Sequence, residues 1–230
     1  MGSWDDQKVA ETHSSATRRD RVIGRALNDL IARAPWLWPL MRGPTRRFFS
    51  TRASGWDART GAGGVEHLAA LAAATLHVSP APERILDVGC GTGEGTLFLA
   101  REFPQARVRG VDLSEEMVAT AVAKVGLDPE GRIAFKVGDA ASLPYPDDSF
   151  DLVAQLNMPP FFAELARVLR PGGMVIVASS WGAATPFYTR PALLRWKFLQ
   201  HGVEPVEIGH AGPGAFYVGR LEEPDQSLRD

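Results

Sequence analysis

The sequence predicts a doubly wound α/β fold. It should hold a mostly parallel sheet of seven strands, a terminal antiparallel strand pair and an N-terminal helical cap. Three observations carry this. From residue 84 onward, short apolar runs alternate with helical segments, the pattern of successive β–α–β units. Those runs are apolar throughout rather than at every second position, as strands covered on both faces must be. The first run ends in a glycine-rich turn that opens a helix. The chain has 230 residues, 45% of them hydrophobic, and can bury a core without disulfide or metal staples.

The elements follow in order. Residues 1–20 are polar and expected to fray. Residues 18–34 place Val22, Ile23, Ala26, Leu27, Leu30 and Ile31 at helical spacing. Residues 35–49 mix Pro, Trp and Arg and cannot form one straight helix. Residues 64–77 are rich in Ala and Leu and read as a helix. Strands are predicted at 84–89, 107–113, 133–140, 150–157 and 174–180, with helices at 94–103, 114–126, 161–170 and about 191–201. Ser114 suits an N-cap, Glu115 and Glu116 suit the positive end of the helix dipole, and Gly126 suits the stop. Pro171-Gly172-Gly173 is a turn, and 203–209 with 214–220 forms the terminal pair. The division expected is a helical cap over 1–60 and a sheet domain over 61–230.

Composition excludes several classes. Cys90 is the single cysteine, so an intrachain disulfide and a Cys-based zinc site are both excluded. The five histidines are scattered, and no metal is expected. No apolar stretch reaches the roughly 18 residues of a membrane span. The start lacks the apolar core of a secretion signal. A soluble cytoplasmic protein is therefore expected, and Arg outnumbering Lys 21 to 4 points to a G+C-rich bacterial genome. Net charge is −2, but unevenly spread. Residues 1–60 carry 11 basic and 6 acidic side chains, and residues 61–230 carry 14 and 21.

The sharpest signal is Ile85-Leu86-Asp87-Val88-Gly89-Cys90-Gly91-Thr92-Gly93. In an open α/β sheet, ligands bind beyond the carboxyl ends of the strands. A dinucleotide loop needs GxGxxG, and both registers fail here, at Glu94 and at Thr96. A phosphate loop fails for want of Gly-Lys-Ser/Thr. A phosphate-free nucleoside remains. Asp112 ends the second strand, 19 residues after Gly93, where a carboxylate can accept from both ribose hydroxyls. Asp139 ends the third strand and can accept from an adenine amino group, and Leu113 and Met117 can offer apolar faces to the ring.

Together these segments resemble the class I S-adenosylmethionine-dependent methyltransferases, a Rossmann-like family. ILDVGCGTG is similar to their first motif and GVDLS to their ribose-binding segment. GDAASLPYPDDSFDLV is similar to the adenine segment with the fourth strand, and ELARVLRPGG to the helix and turn before the fifth. The resemblance covers roughly 84–180 and extends to the ubiquinone/menaquinone-biosynthesis-like branch. It implies S-adenosylmethionine as cofactor. It also implies Gly89, Gly91 and Gly93 along the methionine part, Asp112 on the ribose, Asp139 and Ala140 around the adenine, and Asp87 organising the loop. Trp56 is implied as a lid residue, with Arg59 meeting the methionine carboxylate. Phe48, Phe49 and Trp56 equally suit plain packing of a helix onto the sheet.

The segment after the fourth strand is short, Gln155-Leu156-Asn157-Met158-Pro159-Pro160-Phe161-Phe162. Asn157 is expected to point into the cofactor mouth. The string is one residue out of register with the Asn-Pro-Pro-Phe of adenine-amino DNA methyltransferases, and the body is acidic, so nucleic acid is not the expected partner. Trp36, Leu37, Trp38 and Leu40 lie between Arg33 and Arg42. They read as an interfacial anchor, a pocket cover or a dimer contact. The expected partner is a small apolar or aromatic methyl acceptor. A cofactor-binding interaction module without turnover is the alternative. No catalytic base declares itself; Tyr188, His13, His67 and Asn157 are the candidates. Cys90 reads as a small residue packed beside the glycines.

Overall fold

The computed structural model describes residues 18–223. The polar start with His13, and the last residues, lie outside the described residues, as does the side chain of Ile23. The N-terminal part holds α1 (Arg18–Arg33), a 3₁₀ turn (Pro35–Leu37), α2 (Trp38–Ser50), α3 (Trp56–Thr60) and α4 (Val65–Thr75). Then follow β1 (Arg84–Val88), α5 (Glu94–Glu102), β2 (Arg107–Asp112), α6 (Glu115–Lys124) and β3 (Ile133–Val137). The chain continues through β4 (Phe150–Leu156), α7 (Phe162–Val168), β5 (Leu169–Ser179), α8 (Pro191–Leu199), β6 (Val203–Ala211) and β7 (Gly214–Leu221).

The seven strands form one sheet in the order β3-β2-β1-β4-β5-β7-β6. β1 to β5 pair in parallel, and β7 runs antiparallel to both β5 and β6. This is the mostly parallel, Rossmann-like arrangement with a terminal antiparallel pair that the sequence predicts. The chain leaves β1 in one direction to build β2 and β3, then returns to lay β4 on the other side. That reversal opens a crevice at the carboxyl end of β1.

Neighbouring strand residues point to opposite faces, so β1, β2, β4, β5 and β7 feed two cores. Leu86, Val88, Val153, Val175 and Val177 pack with Phe162 and Leu165 of α7 and Phe198 of α8. Ile85, Val108, Leu152 and Ile176 pack with Leu68 and Leu71 of α4 and Leu99 of α5. Both sets are buried, which is why the strands read as continuous apolar runs. The turn Pro171-Gly172-Gly173 is absorbed into β5 as an irregularity. The β4–β5 ladder passes from Phe150–Leu169 to Leu152–Met174, with residues 170–173 outside the register.

One N-terminal expectation is corrected and another is located. Helix α1 forms, but Val22, Leu27 and Leu30 are exposed, and the buried face is Asn28, Ile31 and Ala32. Small side chains decide this docking. A Cβ on Gly24 would lie 2.3 Å from Pro186 Cβ, so the glycine admits the 185–189 loop. Asn28 Nδ2 donates to Thr189 Oγ1 at 2.8 Å. Residues 35–49 break, as expected, at the 3₁₀ turn before Trp38, and α2 runs through Pro44.

Helix α6 begins as its sequence suggests. Ser114 Oγ accepts from Met117 N at 3.2 Å and lies 3.0 Å from Ser50 Oγ of α2. One hydroxyl thus caps α6 and anchors α2. Replacing Ser114 with Ala should cost about 1 kcal/mol of stability, read from urea unfolding. A loss within error of zero would remove the cap from the account of this helix.

Candidate functional site

The carboxyl ends of β1, β2 and β3 converge, and each brings a predicted residue. Past β1 the chain turns through Gly89, Gly91 and Gly93, all at positive φ. Their surroundings differ. A Cβ on Gly91 would meet nothing within 4 Å, so this glycine faces open space. A Cβ on Gly93 would lie 2.9 Å from Ala121 Cβ and 3.0 Å from the Phe135 ring. Gly93 therefore permits close packing of the α5 start against α6 and β3 rather than an open lining. Gly89 faces Met158, whose sulfur would stand 2.2 Å from a Cβ placed there.

Asp112 ties the loop to the next helix. Its Oδ2 accepts from Gly91 N at 2.9 Å, and its Oδ1 accepts from Ser114 N at 2.9 Å. An ionised carboxylate has about four acceptor positions, so these two bonds leave others open. Burial raises the Asp112 pKa, against the hydrogen bonds from Ser114 and Gly91 that lower it. Asp87 lies behind the loop at 3% exposure. Its Oδ2 accepts from Thr96 Oγ1 at 2.6 Å, so it holds the first turn of α5. Burial pushes its pKa up to about 7, the Thr96 hydroxyl opposes that, and the charge of Asp112 adds to it. Cys90 is buried and free. Burial, then the charges of Asp87 and Asp112, push its thiol up, the opposite of what a reactive thiolate needs.

At the end of β3, Asp139 is engaged from the N-terminal helices. Trp38 Nε1 donates to its two oxygens at 2.8 and 3.0 Å, Ala141 N donates to Oδ1 at 2.9 Å, and Arg42 lies 3.5 Å from Oδ2. The Trp38 ring meets Phe161 edge-on at 5.1 Å. Around them Ile31, Met41, Leu113, Ala140, Ala141 and Met158 form one apolar cluster. Leu113 and Ala140 thus stand beside Asp139. Met117 is buried within the first turn of α6 at 1% exposure.

Asn157 departs from expectation. It has φ +57°, and its side chain turns to β5. Nδ2 donates to Ser180 Oγ at 2.8 Å, and Oδ1 accepts from Ser180 N at 2.9 Å. Both ends of the amide are thereby occupied away from the crevice. Ser180 Oγ in turn donates to His67 O at 2.6 Å, so this chain of bonds joins β4, β5 and α4. Arg59 is corrected as well. Its guanidinium donates to Ser54 O at 3.0 Å and to Arg52 O, in the segment that leads into α3. Trp56 is half-buried against Phe49 at 5.5 Å, and Phe49 lies 6.2 Å from Phe187.

What reaches the glycine loop from α3 is Asp57, which sequence reasoning missed. It accepts from Thr92 Oγ1 and pairs with Lys124, which also pairs with Glu94 at 2.8 Å. His67 faces this group, and burial lowers its pKa while Glu94 and Asp57 oppose that. Tyr188 offers its carbonyl to Asn28 at 3.4 Å. No local pattern marks Asp57 or Trp38, because their partners lie 67 and 101 residues away. Among the described residues, no three His, Cys, Asp or Glu side chains gather as a metal site.

Residues 85–173 match the family model of a methyltransferase domain. The seven-stranded sheet around this region has the mostly parallel, Rossmann-like arrangement. The sequence is similar to demethylmenaquinone methyltransferase of Symbiobacterium thermophilum, 35% identical over 133 residues, 54% of this chain and 53% of that one. It is also similar to O-methyltransferase cnsE of Penicillium expansum, 40% identical over 112 residues, 45% of this chain and 40% of that one. These matches span about half or less of the relatives' own length. In fold it resembles a S-adenosylmethionine-dependent methyltransferase of Aquifex aeolicus, with a TM-score of 0.59 and 18% identity over 68% of this chain and 92% of that one.

Proposed function

We propose that the chain is an S-adenosylmethionine-dependent methyltransferase acting on a small apolar or aromatic acceptor, with residues 1–60 as a cap over a 61–230 core. The observation that carries this is the convergence of the open Gly91, Asp112 and Asp139 at three adjacent parallel strand ends. A nucleoside without phosphate suits that donor and acceptor set. The space over Gly91 admits a ligand that a side chain would exclude, and the acids offer acceptors rather than an anion-binding nest.

In this reading Gly89 and Gly91 run beside the methionine part, and the remaining acceptor positions of Asp112 take the ribose hydroxyls. Asp139 takes the adenine amino group, with Leu113 and Ala140 against the ring. Trp38 holds both Asp139 oxygens. An adenine amine donating to that carboxylate takes one of them from the indole, which couples cofactor entry to α2. When bound, the cofactor would supply an electrophilic methyl group on a sulfonium, whose neutral thioether would leave as the acceptor takes the methyl. The protein's part is to align the acceptor and exclude water. The aromatic group Phe49, Trp56 and Phe187 supports an apolar acceptor. So do relatives named as demethylmenaquinone methyltransferase and O-methyltransferase.

Calorimetric titration with S-adenosylhomocysteine, followed by its release from S-adenosylmethionine on fractionated cell extract, tests the reading. Binding and release are expected. Absence of binding overturns it, and binding without release on every fraction makes the protein a cofactor-binding module.

A further inference from the structure

Helix α2 turns two unlike faces. Trp38, Met41, Thr45 and Phe49 recur at three- and four-residue steps and turn inward, Trp38 to 7% exposure. Trp36 of the preceding 3₁₀ turn and Leu40, Pro44 and Phe48 of α2 recur at four-residue steps and turn outward. Trp36 is 73% exposed, Leu40 77% and Phe48 47%. Arg47 lies within this outer stripe, Arg42 and Arg46 are exposed at its edge, and the Arg52 guanidinium covers the Phe48 ring at 3.9 Å.

Charge accompanies the apolar stripe. Residues 30–56 contain five arginines and no acidic residue. Arg42 pairs with Asp139 and Arg46 with Glu115, while Arg33, Arg47 and Arg52 are exposed. The surface around the stripe is thus left positive.

We propose that this outer face of the N-terminal helices docks on an anionic lipid surface. Trp36 and Leu40 enter the boundary between headgroups and acyl chains, and the arginines meet lipid phosphates. An amphipathic helix with aromatic and aliphatic residues on one side and cations around them binds in this way. Tryptophan suits the boundary because its ring is apolar while its N–H can stay hydrated. Arginine can lay its stem along the apolar stripe and keep its head among phosphates. A protein partner needs on the order of 1,000 Å² of matched surface, which a stripe one side chain wide does not offer. A bilayer needs only a few inserted side chains and a field of the right sign. No helix among the described residues is long and apolar enough to cross a membrane, so the contact is peripheral. The inference stands on the outer face and does not depend on the methyl-transfer reading.

The test is co-sedimentation of the whole chain with vesicles of phosphatidylcholine alone or mixed with phosphatidylglycerol. Retention on the mixed vesicles should exceed that on the neutral ones by about tenfold or more and fall with added salt. The W36S/L40S double variant should lose about tenfold in retention on the mixed vesicles, with its thermal unfolding unchanged. No retention on mixed vesicles, or equal retention of variant and parent, overturns the proposal. So does a lipid-free dimer, seen by sedimentation velocity and abolished in the variant, since the stripe would then be a contact between two copies.

Discussion

Replacing Asp112 with Ala should weaken S-adenosylhomocysteine binding by about 1.5–3 kcal/mol, the scale of hydrogen bonds to a charged group. That is roughly a tenfold to 150-fold rise in Kd. The substitution removes the acceptor positions assigned to the ribose. It also frees the Gly91 and Ser114 N–H groups that the carboxylate holds at 2.9 Å, so the loop loses its tie to α6. Calorimetry measures the first effect. Asp112→Asn separates the two, because it keeps the shape but turns one acceptor into a donor facing a backbone N–H. An unchanged affinity in both variants would take Asp112 out of the site.

The second large effect is on stability against pH, and it comes from Asp87. In the folded chain its carboxyl group ionises near pH 7, against an ordinary value of 3.8. Between those values the folded state holds a proton that the unfolded state has released. Stability from this group is therefore complete below about pH 3.8 and is lost as pH rises through 7. The difference corresponds to an effect on the order of 4 kcal/mol. Asp87→Asn keeps an oxygen for the Thr96 hydroxyl and never ionises. Its stability should stay level over this range, and above pH 7 the variant should be more stable than the parent without cofactor. Urea unfolding at stepped pH measures both curves. Parallel curves would show that Asp87 ionises at its ordinary value.

Both effects concern residues that were legible in the sequence for the same reason. Asp87 and Asp112 lie in or at the end of short apolar strands, where period and turn signals fix position along the chain. The alternation of strand and helix signals also gives the sheet and its parallel run, because the inner strands β1, β4 and β5, buried on both faces, have few polar positions left. Ser114 and the glutamates after it mark the start of α6 through purely local chemistry.

Other residues take their roles from partners that the chain brings up from far away. Trp38 reaches Asp139 across 101 residues, and Asp57 reaches Lys124 across 67. Neither has a local signature, since an indole N–H and a carboxylate look alike wherever they stand. Arg59 suits an anionic ligand by residue type, but two carbonyls of the segment before α3 take its guanidinium. Asn157 was expected to face the crevice, but a left-handed backbone at that residue aims its amide at Ser180.

The tryptophan-rich segment shows the same division most plainly. Sequence alone determined that residues 35–40 are apolar, aromatic and set among arginines, and left anchor, cover and contact open. Tertiary structure decided which residue does what. The 3₁₀ turn rotates Trp38 inward onto Asp139 and leaves Trp36 and Leu40 outside. Composition is local and survives in the sequence, whereas the direction of a face is set only when a helix docks.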